Sequence, residues 1–81
     1  MALYFFHLCD GGDLLMDPEG REIEDVSLIE ELALKEARAM ISQDALSGII
    51  RLDQFVEVRD QTGELVHKVA FRNAVTISAG A

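Results

Sequence analysis

The sequence predicts an α+β domain: a small antiparallel sheet of three to four strands packed against one long α-helix. Three observations predict it. An aromatic-rich apolar run opens the chain at residues 3–9. A stretch with 3.6-residue apolar periodicity fills the middle, from Ser27 to about Leu46. Two short apolar runs follow, joined by Asp60-Gln61-Thr62-Gly63. The element order is strand, short hairpin, helix, strand, strand. Residues 1–75 are read as one domain and residues 76–81 as a flexible tail.

Leu3-Tyr4-Phe5-Phe6-His7-Leu8-Cys9 reads as the first strand. Side chains alternate faces along it, so Tyr4, Phe6 and Leu8 share one face and Leu3, Phe5, His7 and Cys9 the other. Both faces are apolar enough to require cover. Asp10-Gly11-Gly12 ends the strand, and Leu14-Leu15-Met16 is a second short apolar run. Asp17-Pro18-Glu19-Gly20 then suits a type I turn, with proline presetting φ and Gly20 taking the left-handed conformation. Arg21-Glu22-Ile23 runs back as a short strand.

Ser27-Leu28-Ile29-Glu30 fits a capping box, which predicts a helix starting after Ser27 and ending near Ala45 or Leu46, with Gly48 as its stop. Ile29, Leu32, Ala33, Ala37, Met40 and Ile41 form its apolar stripe. Glu36 falls beside that stripe without an evident reason. Residues 55–59 and 65–71 are the last strands, and Gly63 closes their turn at positive φ. The predicted core is Tyr4, Phe6, Leu8, Ile29, Leu32, Ala33, Ala37, Met40, Ile41, Val56, Val58, Val69 and Phe71.

The charge is concentrated. Residues 10–31 hold nine acids and one base, Arg21, which accounts for the whole formal net charge of −8. The remaining residues hold six acids and six bases and balance. An acidic, turn-rich segment repels phosphate and attracts basic partners. The bases are scattered, which argues against nucleic acid as a partner. No run is long enough to span a bilayer, so no membrane role is expected. The single cysteine and the lack of a secretory leader point to the cytoplasm.

Tyr4-Phe5-Phe6-His7-Leu8, Asp10-Gly11 and Asp17-x-x-Gly20 resemble the opening of a family of short bacterial proteins with no assigned function. In that family the pattern continues with an alanine-rich helix, here Ala33, Ala37 and Ala39. It ends with a Val-Arg-Asp-x-x-Gly hairpin closing on phenylalanine, here Val58-Arg59-Asp60, Gly63 and Phe71. The resemblance spans roughly residues 3–75 and rests on turns, strand aromatics and a helix face. It therefore implies a fold and no activity. Cys9 stands where a basic residue is common in the family, which argues against a thiol role. A fainter likeness, of pattern alone, runs to small antitoxins with an acidic stretch ahead of an alanine-rich helix.

Catalytic and cofactor signatures are missing. His7 and Cys9 share a strand face, and Asp10 or Asp13 would add oxygens, but zinc needs three or four ligands and paired Cys/His spacings are absent. The acids of residues 10–25 do not follow the EF-hand pattern. Gly11-Gly12 is flanked by Asp10 and Asp13, which opposes phosphate. Cys9 has no neighbouring base and no nucleophile elbow is present. The expectation is a non-enzymatic protein-interaction or regulatory module without cofactor or metal, extended by homo-oligomerisation. Its candidate interaction residues are Asp13, Asp17, Glu19, Glu22, Glu24 and Asp25 in the acidic segment and Leu3, Phe5 and His7 on the second strand face. A partner docking on the acidic segment is expected to be basic. The alternatives are an antitoxin-like or nucleic-acid-mimicking protein that binds a basic partner, and a metal or small-molecule site at His7.

Overall fold

The apolar alternation of residues 2–10 builds the central strand of the sheet, β1 (Ala2–Asp10). The computed structural model describes residues 2–80. Next come β2 (Asp13–Leu15) and β3 (Arg21–Ile23), a single 3-10 turn at Val26–Leu28, and α1 (Ile29–Ser47). β4 (Phe55–Arg59), β5 (Leu65–Ala70) and the one-turn helix α2 (Phe71–Ala74) complete the fold. The sheet is antiparallel in the order β2-β1-β4-β5, and β3 also pairs with β1. The α+β architecture is the one the sequence predicts.

One edge of β1 is shared. β3 takes its first part, pairing Ala2 with Ile23 and Tyr4 with Arg21. β2 takes its last part, pairing Leu8 with Leu15 and Asp10 with Asp13. On its other edge β1 pairs with β4 from Phe5↔Arg59 to Cys9↔Phe55. β5 closes the far side, with a bulge at Val58/Arg59.

α1 lies over β4 and β5 and packs on α2. Its buried residues, Ile29, Ala33, Ala37 and Ile41, are four of the six in the predicted stripe, and the two alanines let the backbone approach the sheet. Val56, Val58 and Phe71 are the largest fully buried side chains. Burying one side chain such as Phe6 contributes about 2–3 kcal/mol. Leu8, Leu32 and Met40, also predicted as core, pack only partly buried at its border. Ile23, Cys9 and Ala74 join the buried set. Phe71 is core as predicted, but β5 stops at Ala70 and Phe71 opens α2, its N–H bonded to the Gln54 carbonyl at 2.9 Å.

The helix start differs from the capping-box reading. Asp25 accepts from the Ser27 N–H at 3.0 Å and from the Ser27 hydroxyl at 2.6 Å. The Ser27 oxygen is thereby engaged by a stronger acceptor two residues upstream, and the chain makes a 3-10 turn before α1. Leu28 at the start of α1 makes no side-chain cap. The helix end is as expected: Gly48 sits at φ 89° and its N–H returns to Ala45. Gly20 and Gly63 also hold the left-handed conformation, at φ 75° and 86°. Among the described residues no helix is long and apolar enough to cross a membrane.

Candidate interaction groove

Asp17 is the residue that joins the shared edge together. Between the stretches paired to β3 and β2, the Phe6 N–H has no strand opposite it and donates to Asp17 Oδ2 at 3.2 Å. Asp17 Oδ1 accepts from the Glu19 and Gly20 N–H groups, both at 3.2 Å. The Asp17 N–H donates to His7 Nδ1 at 2.9 Å. One side chain thus fills a gap in the ladder and folds the turn that Pro18 and Gly20 prepare. Burial pushes the Asp17 carboxyl up, but the N–H groups of Gly20, Phe6 and Glu19 and the charge of Arg21 outweigh it and hold the group below the usual aspartate range.

Arg21 and Glu36 form a second tie. Arg21 follows this turn on β3, faces the helix side of the sheet opposite Tyr4, and lays its guanidinium 4.6 Å over the Phe6 ring. Its Nη2 pairs with Glu36 Oε2 on α1. That pairing accounts for an acid beside the apolar stripe: Glu36 binds β3 to the helix.

Because α1 lies over β4 and β5, the β1–β2 side of the same sheet face stays open. The result is a groove of 510 Å³ lined by Phe6, Leu8, Leu15, Met16 and Met40, with Asp17, Glu19, Arg21 and Glu36 as its polar wall. Leu15 at the end of β2 and Met16 just after it are 60% and 62% exposed. Asp13 stands two residues before Leu15, on the same face of β2.

The second sheet face is arranged differently. His7 is 4% exposed and Cys9 8%. Phe5 stacks on His7 with ring centroids 6.2 Å apart, and Met16, Asp17, Gln61 and Gly63 close around the pair. Across β4, Glu57 accepts from the Arg59 Nε and Nη2 at 3.2 and 3.1 Å. Lys68 Nζ lies 3.9 Å over the Phe55 ring. Burial, then the charge and hydrogen bonding of Glu57, raise the Cys9 thiol above its ordinary value. Among the described residues no three His, Cys, Asp or Glu side chains converge as metal ligands would.

The structure divides the residues singled out in the sequence. Asp17 and Glu19 meet at the groove. Phe5 and His7 meet Asp17 on the opposite face, while half-buried Leu3 lines neither cavity. Asp25 is engaged in the turn ahead of α1. Glu22 and Glu24 are exposed and line neither cavity. Leu15, Met16, Arg21, Glu36 and Met40 line the groove and were missed as site residues. The misplaced Glu36 and the run Leu14-Leu15-Met16 were the signals available.

A family model described as a domain of unknown function, DUF6894, matches residues 3–72. The chain belongs to this family. The match covers every element through the start of α2 and so includes all the residues of the groove. No curated protein and no solved structure matches the chain. Membership in DUF6894 brings no activity with it.

Proposed function

We propose that this protein is a non-catalytic interaction module whose groove takes a basic, apolar-faced segment of another protein. The observation that carries the reading is the open strip of sheet beside α1. It sets five apolar side chains, Phe6, Leu8, Leu15, Met16 and Met40, beside charged ones, and its two methionines are unbranched and adaptable, a composition suited to taking up another chain. Its charged wall holds three acids against one base, and the surrounding segment adds Asp13, Glu22 and Glu24.

A second copy of the chain is the poorer occupant. Two chains of net charge −8 repel at long range. Both sheet edges are also blunted against self-pairing. β2 and β3 are three residues each, and β5 carries a bulge and Lys68. What supports a non-catalytic reading is the state of the two reactive side chains: Cys9 is kept protonated by its surroundings, and His7 Nδ1 is engaged by a backbone amide.

The test is an NMR titration of the ¹⁵N-labelled protein with a synthetic amphipathic Lys/Leu peptide and its Glu/Leu counterpart. The Lys/Leu peptide should shift the amides of Leu15, Met16, Glu19 and Met40, and salt should weaken it. The Glu/Leu peptide should leave them in place, and Leu15→Lys with Met40→Lys should abolish the response. Shifts spread over Glu22, Glu24 and Glu30 with a silent groove would reduce the interaction to unspecific charge attraction and end this reading.

A further inference from the structure

We propose that the His7–Asp17 contact is a pH-operated latch on the outer wall of the groove; its consequence for binding rests on the groove reading above.

The geometry sets the protonation pattern. A backbone N–H does not surrender its proton, so the Asp17 amide 2.9 Å from His7 Nδ1 requires that nitrogen to be bare. The imidazole proton then sits on Nε2. The imidazolium carries a proton on both nitrogens and accepts from nothing. Adding the second proton turns the contact into two facing N–H groups. Imidazole is the side chain that changes charge between about pH 5 and 8.

The surroundings receive that charge. Glu57 lies across from His7 on β4, with Arg59 bound to it. Asp17 approaches from the β2–β3 loop and Asp60 from the β4–β5 turn. Lys68 on β5 is opposite Glu57, and Cys9 lies two residues along β1. Three carboxylates, Asp17, Glu57 and Asp60, stand around His7 with two bases, Arg59 and Lys68. Asp17 already accepts three backbone N–H groups, Glu19 and Gly20 on Oδ1 and Phe6 on Oδ2, which hold its carboxylate on the turn and on β1.

The loop holding this contact faces both ways. Met16 and Asp17 line the groove on the helix side and the cavity with Phe5 and His7 on the other. Protonated His7 releases the amide of Asp17 while its carboxylate stays on Phe6. The wall carrying Met16 loosens, and the groove loses its preformed shape.

Amide hydrogen exchange on the free protein tests the latch. The protection factor of the Asp17 amide should fall severalfold from about pH 8 to about pH 5. The Kd of the Lys/Leu peptide should rise in parallel. His7→Asn places Oδ1 where Nδ1 was and does not titrate, so it should keep both quantities flat. Asp17 protection that ignores pH, or that falls equally in His7→Asn, overturns the latch. Imidazole ¹⁵N shifts of the wild type give a reading that needs no variant: a proton on Nδ1 at about pH 8 also overturns it. Asp17 protection that titrates with His7 in a protein that binds no peptide supports the latch and rejects the groove reading alone.

Discussion

Glu36 of α1 and Arg21 of β3 are fifteen residues apart and form an ion pair, and the Arg21 guanidinium lies over the ring of Phe6. Helical periodicity places Glu36 at the border of the apolar stripe, where an acid has no local purpose. The partner comes from a three-residue strand whose position depends on the whole sheet. The pair ties the composite edge to the helix and lines the open groove.

Both side chains are partly exposed, at 41% and 30%, so screening keeps the pair modest. Glu36→Gln should cost about 0.5 kcal/mol. Arg21→Ala should cost about 1 kcal/mol, because it also removes the cation over Phe6. Urea denaturation of the two single variants and the double variant measures the coupling. Strict additivity would show that the pair contributes nothing to stability.

Asp17→Ala should be the more damaging change, at about 2 kcal/mol, since it leaves the Phe6 N–H without a partner. The Asp17 carboxyl titrates lower in the folded chain than in the unfolded one. The unfolded chain therefore binds the proton first as pH falls. The Asp17 contribution is fully present above the ordinary aspartate range, near pH 4, and is lost as pH drops through the folded value. Asp25 and Asp60 add in the same direction. The Ser27 hydroxyl and amide lower Asp25, and the Thr62 hydroxyl, with nearby backbone N–H groups, lowers Asp60. Denaturation midpoints measured down to about pH 3 should fall, and Asp17→Asn should flatten that fall.

The two turn glycines should respond unequally to alanine. Both sit at positive φ, and Gly63 has open space around it, so Gly63→Ala should cost about 1 kcal/mol from backbone strain alone. A Cβ on Gly20 would meet the Phe5 ring at 2.9 Å and the Tyr4 carbonyl at 3.1 Å. Gly20→Ala should therefore lower Tm further than Gly63→Ala. Equal melting temperatures would contradict the close approach.

Cys9 should react slowly with thiol reagents at neutral pH. Burial and Glu57 keep the sulfur protonated, and only the thiolate attacks. Iodoacetamide labelling should run well behind that of free cysteine. Glu57→Gln should speed it by removing the negative charge. Labelling as fast as free cysteine would show that the second sheet face is open.

Some of this protein was legible in the sequence because it depends on neighbours along the chain. Two-residue alternation marked β1, and Asp-x-x-Gly marked both turns because each aspartate accepts from N–H groups two to four residues further on. The alanine-rich stripe gave α1 its buried face. Even locally, competition hid one feature: Ser27 and Glu30 matched a capping box, but Asp25 was the better acceptor and shifted the helix start.

What the tertiary structure decided is where the cover stops. Tyr4, Phe6 and Leu8 share one face and are equally apolar, so alternation treats them alike. α1 is one helix wide and rests over β4 and β5, leaving Leu8 half-buried and Leu15 and Met16 exposed. Asp17 read as a turn former in the acidic segment and His7 as an interaction residue or metal site on the second strand face, yet the pairing of β1 with two separate strands brings them into contact. Residue types and spacing determined the elements and their faces. The helix's position over the sheet, and the gap between β2 and β3, determined the groove, because those depend on packing between segments far apart in the chain.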